Sequence, residues 1–257
     1  MSNGTTDTRA VSSEETTGET ILRTEGLTKH FGGLTALSDV DVHIDAGEIV
    51  GLIGPNGAGK TTLFHCISGV HTPSEGRVWL HGEEITTAPS ERIANAGLTR
   101  TFQHTRPIEE LTVLENVMIG AHTSEKRRSK ARETARSWLE FVDLADHADE
   151  SAGDLTVGSQ KIMELARALA TEPELILVDE IMAGLTPSEK NDILDIFERI
   201  RANGTSLVVI EHDLAAMFRI SDRVIVLDQG GVLSTGTPEE IQTDQAVIDS
   251  YIGEYDA

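Results

Sequence analysis

The run Gly54-Pro55-Asn56-Gly57-Ala58-Gly59-Lys60-Thr61-Thr62 constrains this chain more than any other feature. It spells G-x-x-x-x-G-K-[ST] between an apolar strand, Ile49 to Ile53, and a helix whose inner face carries Leu63, Cys66 and Ile67. That context is the one in which the spacing cradles a phosphate. The glycines let consecutive backbone N–H groups curl round an anion, and the helix N-terminus adds its positive end. Lys60 reaches terminal phosphates, and the Thr61 hydroxyl can hold Mg²⁺.

A loop of this kind needs a parallel sheet behind it, and the rest of the chain supplies one. Leu175 to Val178, Leu207 to Ile210 and Val224 to Leu227 are continuous apolar runs, as expected of strands buried on both faces. Between the first two lies a helical pattern from Pro187 to Arg201, with Ile193, Leu194, Ile196, Phe197 and Ile200 on one side. Alternating strand and helix implies a sheet covered by helices. Nearer the start, Val40, Val42 and Ile44 alternate with polar residues and predict a partly exposed sheet. Residues 112–150 read as helical without strand signals, opening on Thr112 with Glu115 three places on, a capping-box pattern. Residues 1–20 hold six Thr, three Ser and three Glu and predict a disordered acidic tail.

Composition removes several classes of function. The 257 residues include 43 acidic and 21 basic side chains, a net charge of -22, which argues against a general nucleic-acid binder. The basic residues are 6 Lys and 15 Arg, and so acidic, lysine-poor a chain suits a salt-loaded cytoplasm or is an ordinary acidic protein. One cysteine rules out an internal disulfide and a zinc–thiolate cage. No apolar run approaches the ~20 residues of a membrane-spanning helix.

A second chemical feature is Leu175-Ile-Leu-Val-Asp179-Glu180, an apolar strand ending in two carboxylates. Beside a phosphate loop, Asp179 can hold a magnesium ion, and Glu180 beyond it can take a proton from an attacking water. Two further segments complete an order: Leu155-Thr156-Val157-Gly158-Ser159-Gln160 before a helix, and Ile210-Glu211-His212-Asp213 after a strand. With the phosphate loop and Thr101-Phe102-Gln103, this order resembles the ATP-binding cassette (ABC) ATPases, from about residue 21 to the C-terminus.

The resemblance implies an α/β fold: a P-loop NTPase core with a mainly parallel sheet, an antiparallel β subdomain, and a helical subdomain inserted at about 104–165. It implies ATP and Mg²⁺ as the bound species. It also implies that two ATPase domains pack head to tail, each ATP lying between the phosphate loop of one and the signature segment of the other. Thr156 and the Gly158 N–H would then contact the γ-phosphate on the opposite subunit. By the same resemblance, Gln103 touches Mg²⁺ and the attacking water, His212 contacts the γ-phosphate and orients that water, and Phe31 stacks on adenine. Metal contacts fall to Thr61, Gln103 and Asp179; Glu180, His212 and Gln103 are the catalytic set. The chain departs from the family's usual form at Val157 and Ser159 in the signature, at Ile181 after the catalytic pair, and in Ala183-Gly184-Leu185-Thr186-Pro187, which lacks the aspartate common in the loop that follows.

Five stretches are similar to the ATPase subunits of branched-chain amino-acid importers: Phe31 to Ala36, Gly97 to Gln103, Leu111 to Val117, Glu180 to Pro187 and Val247 to Gly253. That similarity implies transmembrane permease subunits as partners, a second ATPase that is a copy or a paralogue, and an external binding protein acting indirectly. It implies a peripheral position on the cytoplasmic face of the membrane, and no nucleic acid. Related importers carry amides or urea. Two other readings are a soluble cassette ATPase acting on nucleic acid or ribosomes, and a small-molecule kinase. The first usually has paired cassettes or long coiled coils, and the second does not account for the signature or His212. Lys126, Arg127, Arg128, Lys130, Arg132 and Arg136 put six cations within eleven residues, as a solvated helix face or a surface for anionic headgroups.

Overall fold

The structure is a computed structural model that describes residues 18–101 and 107–252. The chain opens with β1 (Thr20–Phe31), β2 (Leu34–Val40), β3 (His43–Asp45) and β4 (Ile49–Ile53), followed by α1 (Lys60–Ile67). Next come β5 (Glu75–Leu80), β6 (Glu83–Glu84), α2 (Ser90–Asn95) and β7 (Leu98–Arg100). A helical stretch follows: α3 (Val113–Ser124), α4 (Arg128–Phe141) and α5 (Val157–Leu169). The chain then alternates through β8 (Leu175–Asp179), α6 (Pro187–Ala202), β9 (Ser206–Ile210), α7 (Leu214–Ile220), β10 (Arg223–Asp228) and β11 (Gly231–Gly236). It finishes with α8 (Pro238–Thr243) and α9 (Gln245–Ile252).

Two sheets form. The antiparallel one runs β2-β1-β5-β6 with β3 also paired to β1. The larger runs β11-β10-β4-β9-β8-β7, parallel throughout except for the edge pair of β10 and β11. All five residues of β4, β8 and β9 are buried.

The two-residue period of these strands divides the core in two. Ile49, Ile53, Ile176, Val178, Leu207, Val209, Val224 and Val226 join one cluster, with Met163 and Leu165 of α5 and Ile193 and Phe197 of α6. Their neighbours Val50, Leu52, Leu175, Leu177, Val208, Ile210, Ile225 and Leu227 join the other, with Leu63 and Phe64 of α1 and the buried side of the antiparallel sheet. The continuous apolar runs are thus strands that serve both faces at once.

The helical stretch is anchored by local chemistry. Thr112 caps α3 in a full capping box: its hydroxyl accepts from the Glu115 N–H at 3.1 Å, and Glu115 accepts from the Thr112 N–H at 3.1 Å. Gly120 lets α3 lie against α5, since a Cβ there would stand 2.0 Å from the Arg167 carbonyl oxygen. Helix α4 buries Ala131, Ala135 and Leu139 and turns its arginines outward. The tail expected over 1–20 meets the fold at Thr20, where β1 begins; its first seventeen residues lie outside the described part.

Candidate active site

Parallel strands leave their carboxyl ends on one edge of the sheet, and the chemistry gathers there. Strand β9 lies between β4 and β8, so Ile210 has Leu52 as its partner on one side and Asp179 on the other. The phosphate loop leaves β4, the two carboxylates end β8, and His212 follows β9. Residue 54, the pair 179 and 180, and residue 212 are far apart in sequence and are brought together by this strand order.

The loop after Ile53 is shaped by close approach. Gly54 has φ +149°, and a Cβ would sit 2.0 Å from the Leu227 carbonyl oxygen. Gly59 has φ +104° and caps α1, with Ala36 O only 2.6 Å from where a Cβ would be. Asn56 and Gly57 are exposed, and nothing lies within 4 Å of a Cβ at Gly57, so the loop is open on that side. Lys60 is 7% exposed and donates to the carbonyl oxygens of Gly54 at 2.6 Å and Pro55 at 3.0 Å. Its ammonium therefore lies inside the curl of the loop. Ala58 is buried against it, while Pro55, Thr61 and Thr62 are half-buried.

Asp179 is fully buried, and Arg100 donates to its Oδ2 at 2.6 Å. Burial raises the Asp179 carboxyl from its ordinary value, and the Arg100 guanidinium opposes that shift. Among the described residues, Oδ1 has no hydrogen-bond partner. A buried, unpartnered carboxylate oxygen together with the Thr61 hydroxyl is a set of hard oxygen donors that fits Mg²⁺. Gln103, expected in the same set, lies outside the described residues.

Glu180 adopts a left-handed backbone, φ +50°, with its N–H donating to Ile210 O at 2.9 Å. That conformation is costly for a residue with a side chain, and turns the chain sharply as it leaves β8. Glu180 Oε1 stands 3.1 Å from His212 Nε2, the carboxylate mostly shielded and the imidazole 55% exposed. His212 is steadied from the next residue: Asp213 caps α7 by accepting from the Ala216 N–H at 3.2 Å and takes Lys190 Nζ at 2.7 Å on its other oxygen. These contacts hold the Asp213 carboxyl below its ordinary value.

Phe31, at the end of β1, is 43% exposed. Its ring meets His71 edge-on at 5.3 Å, His71 meets His65 of α1 at 4.9 Å, and Lys29 Nζ lies 5.2 Å from the Phe31 centroid. An exposed aromatic tied to α1 is available to stack on a flat ligand. The signature segment stands elsewhere. Thr156 caps α5 by accepting from the Ser159 N–H at 3.1 Å, and Val157 is 60% exposed. Gly158 is buried because Glu189 presses against it; a Cβ would be 2.6 Å from Glu189 Oε1. Helix α5 packs in one core and α1 in the other, so one chain carries its phosphate loop and its signature on different cores.

Three contributors escape a reading of the linear sequence: Arg100, the Lys190–Asp213 pair, and Glu211 and Lys161, which hold the backbone of Met182 and Ala183. Arg100 partners Leu177 across the sheet, two residues from Asp179 and hence on the same face. Only strand pairing reveals it.

Residues 37–183 match the "ABC transporter" family profile, and residues 232–257 match "Branched-chain amino acid ATP-binding cassette transporter". The chain is 40% identical over 250 residues to the high-affinity branched-chain amino acid transport ATP-binding protein BraF of Pseudomonas aeruginosa, covering 91% of this chain and 98% of that protein. It is 38% identical, with the same coverage, to LivG of Escherichia coli. The crystal structure of the ADP conformation of MJ1267, an ATP-binding cassette of an ABC transporter, superposes with TM-score 0.84 at 33% identity, covering 91% of this chain and 99% of that one. The dimeric cassette MJ0796, bound to ADP and phosphate, superposes with TM-score 0.76 at 26% identity, covering 85% and 99%. The chain belongs to the ATP-binding proteins of the ABC transporters, in their branched-chain amino-acid branch.

Proposed function

We propose that this protein binds and hydrolyses ATP as the motor subunit of an importer of branched-chain amino acids, paired with a second cassette beneath two membrane permease subunits. The observation that carries this reading is the Glu180–His212 pair, 3.1 Å apart, one strand away from the phosphate loop. The high identity to BraF and LivG supports the substrate class. Among the described residues no helix is long and apolar enough to cross a membrane, in keeping with a subunit that works from the cytoplasmic face through partners.

In this scheme the backbone N–H groups of residues 57 to 61 hold the phosphates, and Lys60 turns from the loop carbonyls toward the terminal oxygens. Thr61, Asp179 and Gln103 would hold Mg²⁺, which when bound offsets charge on the transferring phosphoryl group. Glu180 accepts the proton of the attacking water, and His212 orients that water and the γ-phosphate. Phe31 offers its exposed face to adenine. Thr156 and the Gly158 N–H of one subunit reach the γ-phosphate held by its partner, so ATP joins the pair and hydrolysis releases it. The separation of phosphate loop and signature onto different cores favours such a shared site over one closed within a single chain.

Glu180→Gln tests the assignment. ATP affinity should stay near wild type while turnover drops by roughly 10²-fold or more and a dimer accumulates with ATP on size exclusion. Unchanged turnover would remove Glu180 from its role. Reconstitution with the membrane subunits, assayed against amino acids, amides and urea, tests the substrate: branched-chain amino acids should stimulate hydrolysis most.

A further inference from the structure

The segment that follows Glu180 hangs from two buried charges. Glu211, 5% exposed, accepts the Met182 N–H on Oε1 at 2.6 Å. Lys161, 8% exposed, donates from Nζ to the Ala183 carbonyl oxygen at 2.6 Å. The two come from different places. Lys161 lies in the first turns of α5, five residues beyond Thr156, and Glu211 lies between the end of β9 and His212. Met182 and Ala183 are consecutive, so one short stretch of backbone is held both by the signature helix and by the residue that precedes His212. Glu180, two residues earlier, is held in a left-handed conformation that its surroundings must maintain.

Buried charges that only supported packing would be replaceable by apolar side chains of similar volume. Here each charge satisfies a backbone group of the turn that carries the reacting carboxylate. We propose that Lys161 and Glu211 are positioning residues that bracket Met182 and Ala183, coupling the signature helix to the Glu180–His212 pair. The inference rests on Glu180 and His212 being the reacting pair.

The charge on Glu211 offers a readout. Burial pushes its carboxyl up to about 7, while the Met182 N–H, Lys161 and His212 pull down and Glu180 pushes further up. Lys161, lowered by burial, also faces Glu164 of its own helix and Glu189 of α6. Above this value Glu211 is ionised and grips both the N–H and the field of Lys161; below it the grip weakens. Glu211→Gln keeps the shape and the acceptor and fixes the neutral form.

The experiment compares turnover of wild type and Glu211→Gln across pH, with ATP affinity measured in parallel by fluorescent nucleotide. The wild-type to variant kcat ratio should be about tenfold near pH 8 and approach one near pH 6, with ATP affinity within about twofold throughout. Lys161→Met should lower kcat without lowering ATP affinity, and Lys161→Arg, which can still donate to Ala183, should restore most of it. A ratio that is flat across this range, or a loss of kcat matched by loss of ATP binding, overturns the proposal. Glu180→Gln run alongside separates the two readings: if it stays active the reacting pair is misassigned, and if it is inactive while the ratio is flat the bracket alone fails.

Discussion

His65 illustrates how one side chain ties the site to acid stability. It stands on α1 just behind the phosphate loop, in ring contact with His71 and, through it, with Phe31. Burial, then Arg100 and His71, lower its imidazole to about 4. A base whose folded value is depressed contributes stability in full above its unfolded value of about 6.5, and the contribution fades as pH falls toward 4. Replacing it by Gln removes the group that must stay neutral. We expect His65→Gln to lose less stability than wild type between about pH 6.5 and 4 in denaturant unfolding. Parallel curves for the two proteins would show that His65 is not a source of acid sensitivity.

At the scale of elements, helix α3 is set by chemistry at its entrance. The capping box at Thr112 is one part, and Asn116 the other. Asn116 is fully buried; its amide donates to Ile108 O at 3.1 Å and Thr112 O at 3.0 Å, and its oxygen accepts the Ile108 N–H at 2.9 Å. One side chain thus fastens the strap at 108–112 across the first turn of the helix. Asn116→Ala should cost about 2–3 kcal/mol, because several polar groups lose partners together, whereas Thr112→Ala should cost about 1 kcal/mol. Urea midpoints of the two variants check the order. The capping box was legible from Thr112 and Glu115 alone, because both partners sit within four residues. The role of Asn116 was not: a polar residue in an otherwise apolar helix pattern does not say where the preceding strap runs.

Over the whole molecule, charge is the governing variable. A net charge of -22 repels itself in a compact shape, and at ~1 M salt the screening length falls to about 3 Å. The thermal midpoint should rise steadily from low to molar KCl; a flat profile would show that the local pairs, such as Arg223 on Glu48 at 2.7 Å, already absorb the repulsion. The six cations at 126–136, in and just before α4, do not change this balance: Lys130 and Arg132 meet Glu125 and Asp149 at 3.7 and 4.0 Å, and all six remain exposed.

The sequence alone determined the phosphate loop, the buried strands, the acid pair at Asp179 and Glu180, and the family, because each is written in contiguous residues whose spacing is itself the chemistry. Tertiary structure decided the rest. Arg100 reaches Asp179 only because β7 pairs with β8. Glu180 meets His212 only because β9 runs between β4 and β8. Lys161 and Glu211 converge on Met182 and Ala183 only because α5 folds onto the turn after β8. Each of these contacts joins residues at least twenty positions apart, and linear order carries no information about which strand becomes which neighbour until burial of both sheet faces selects it.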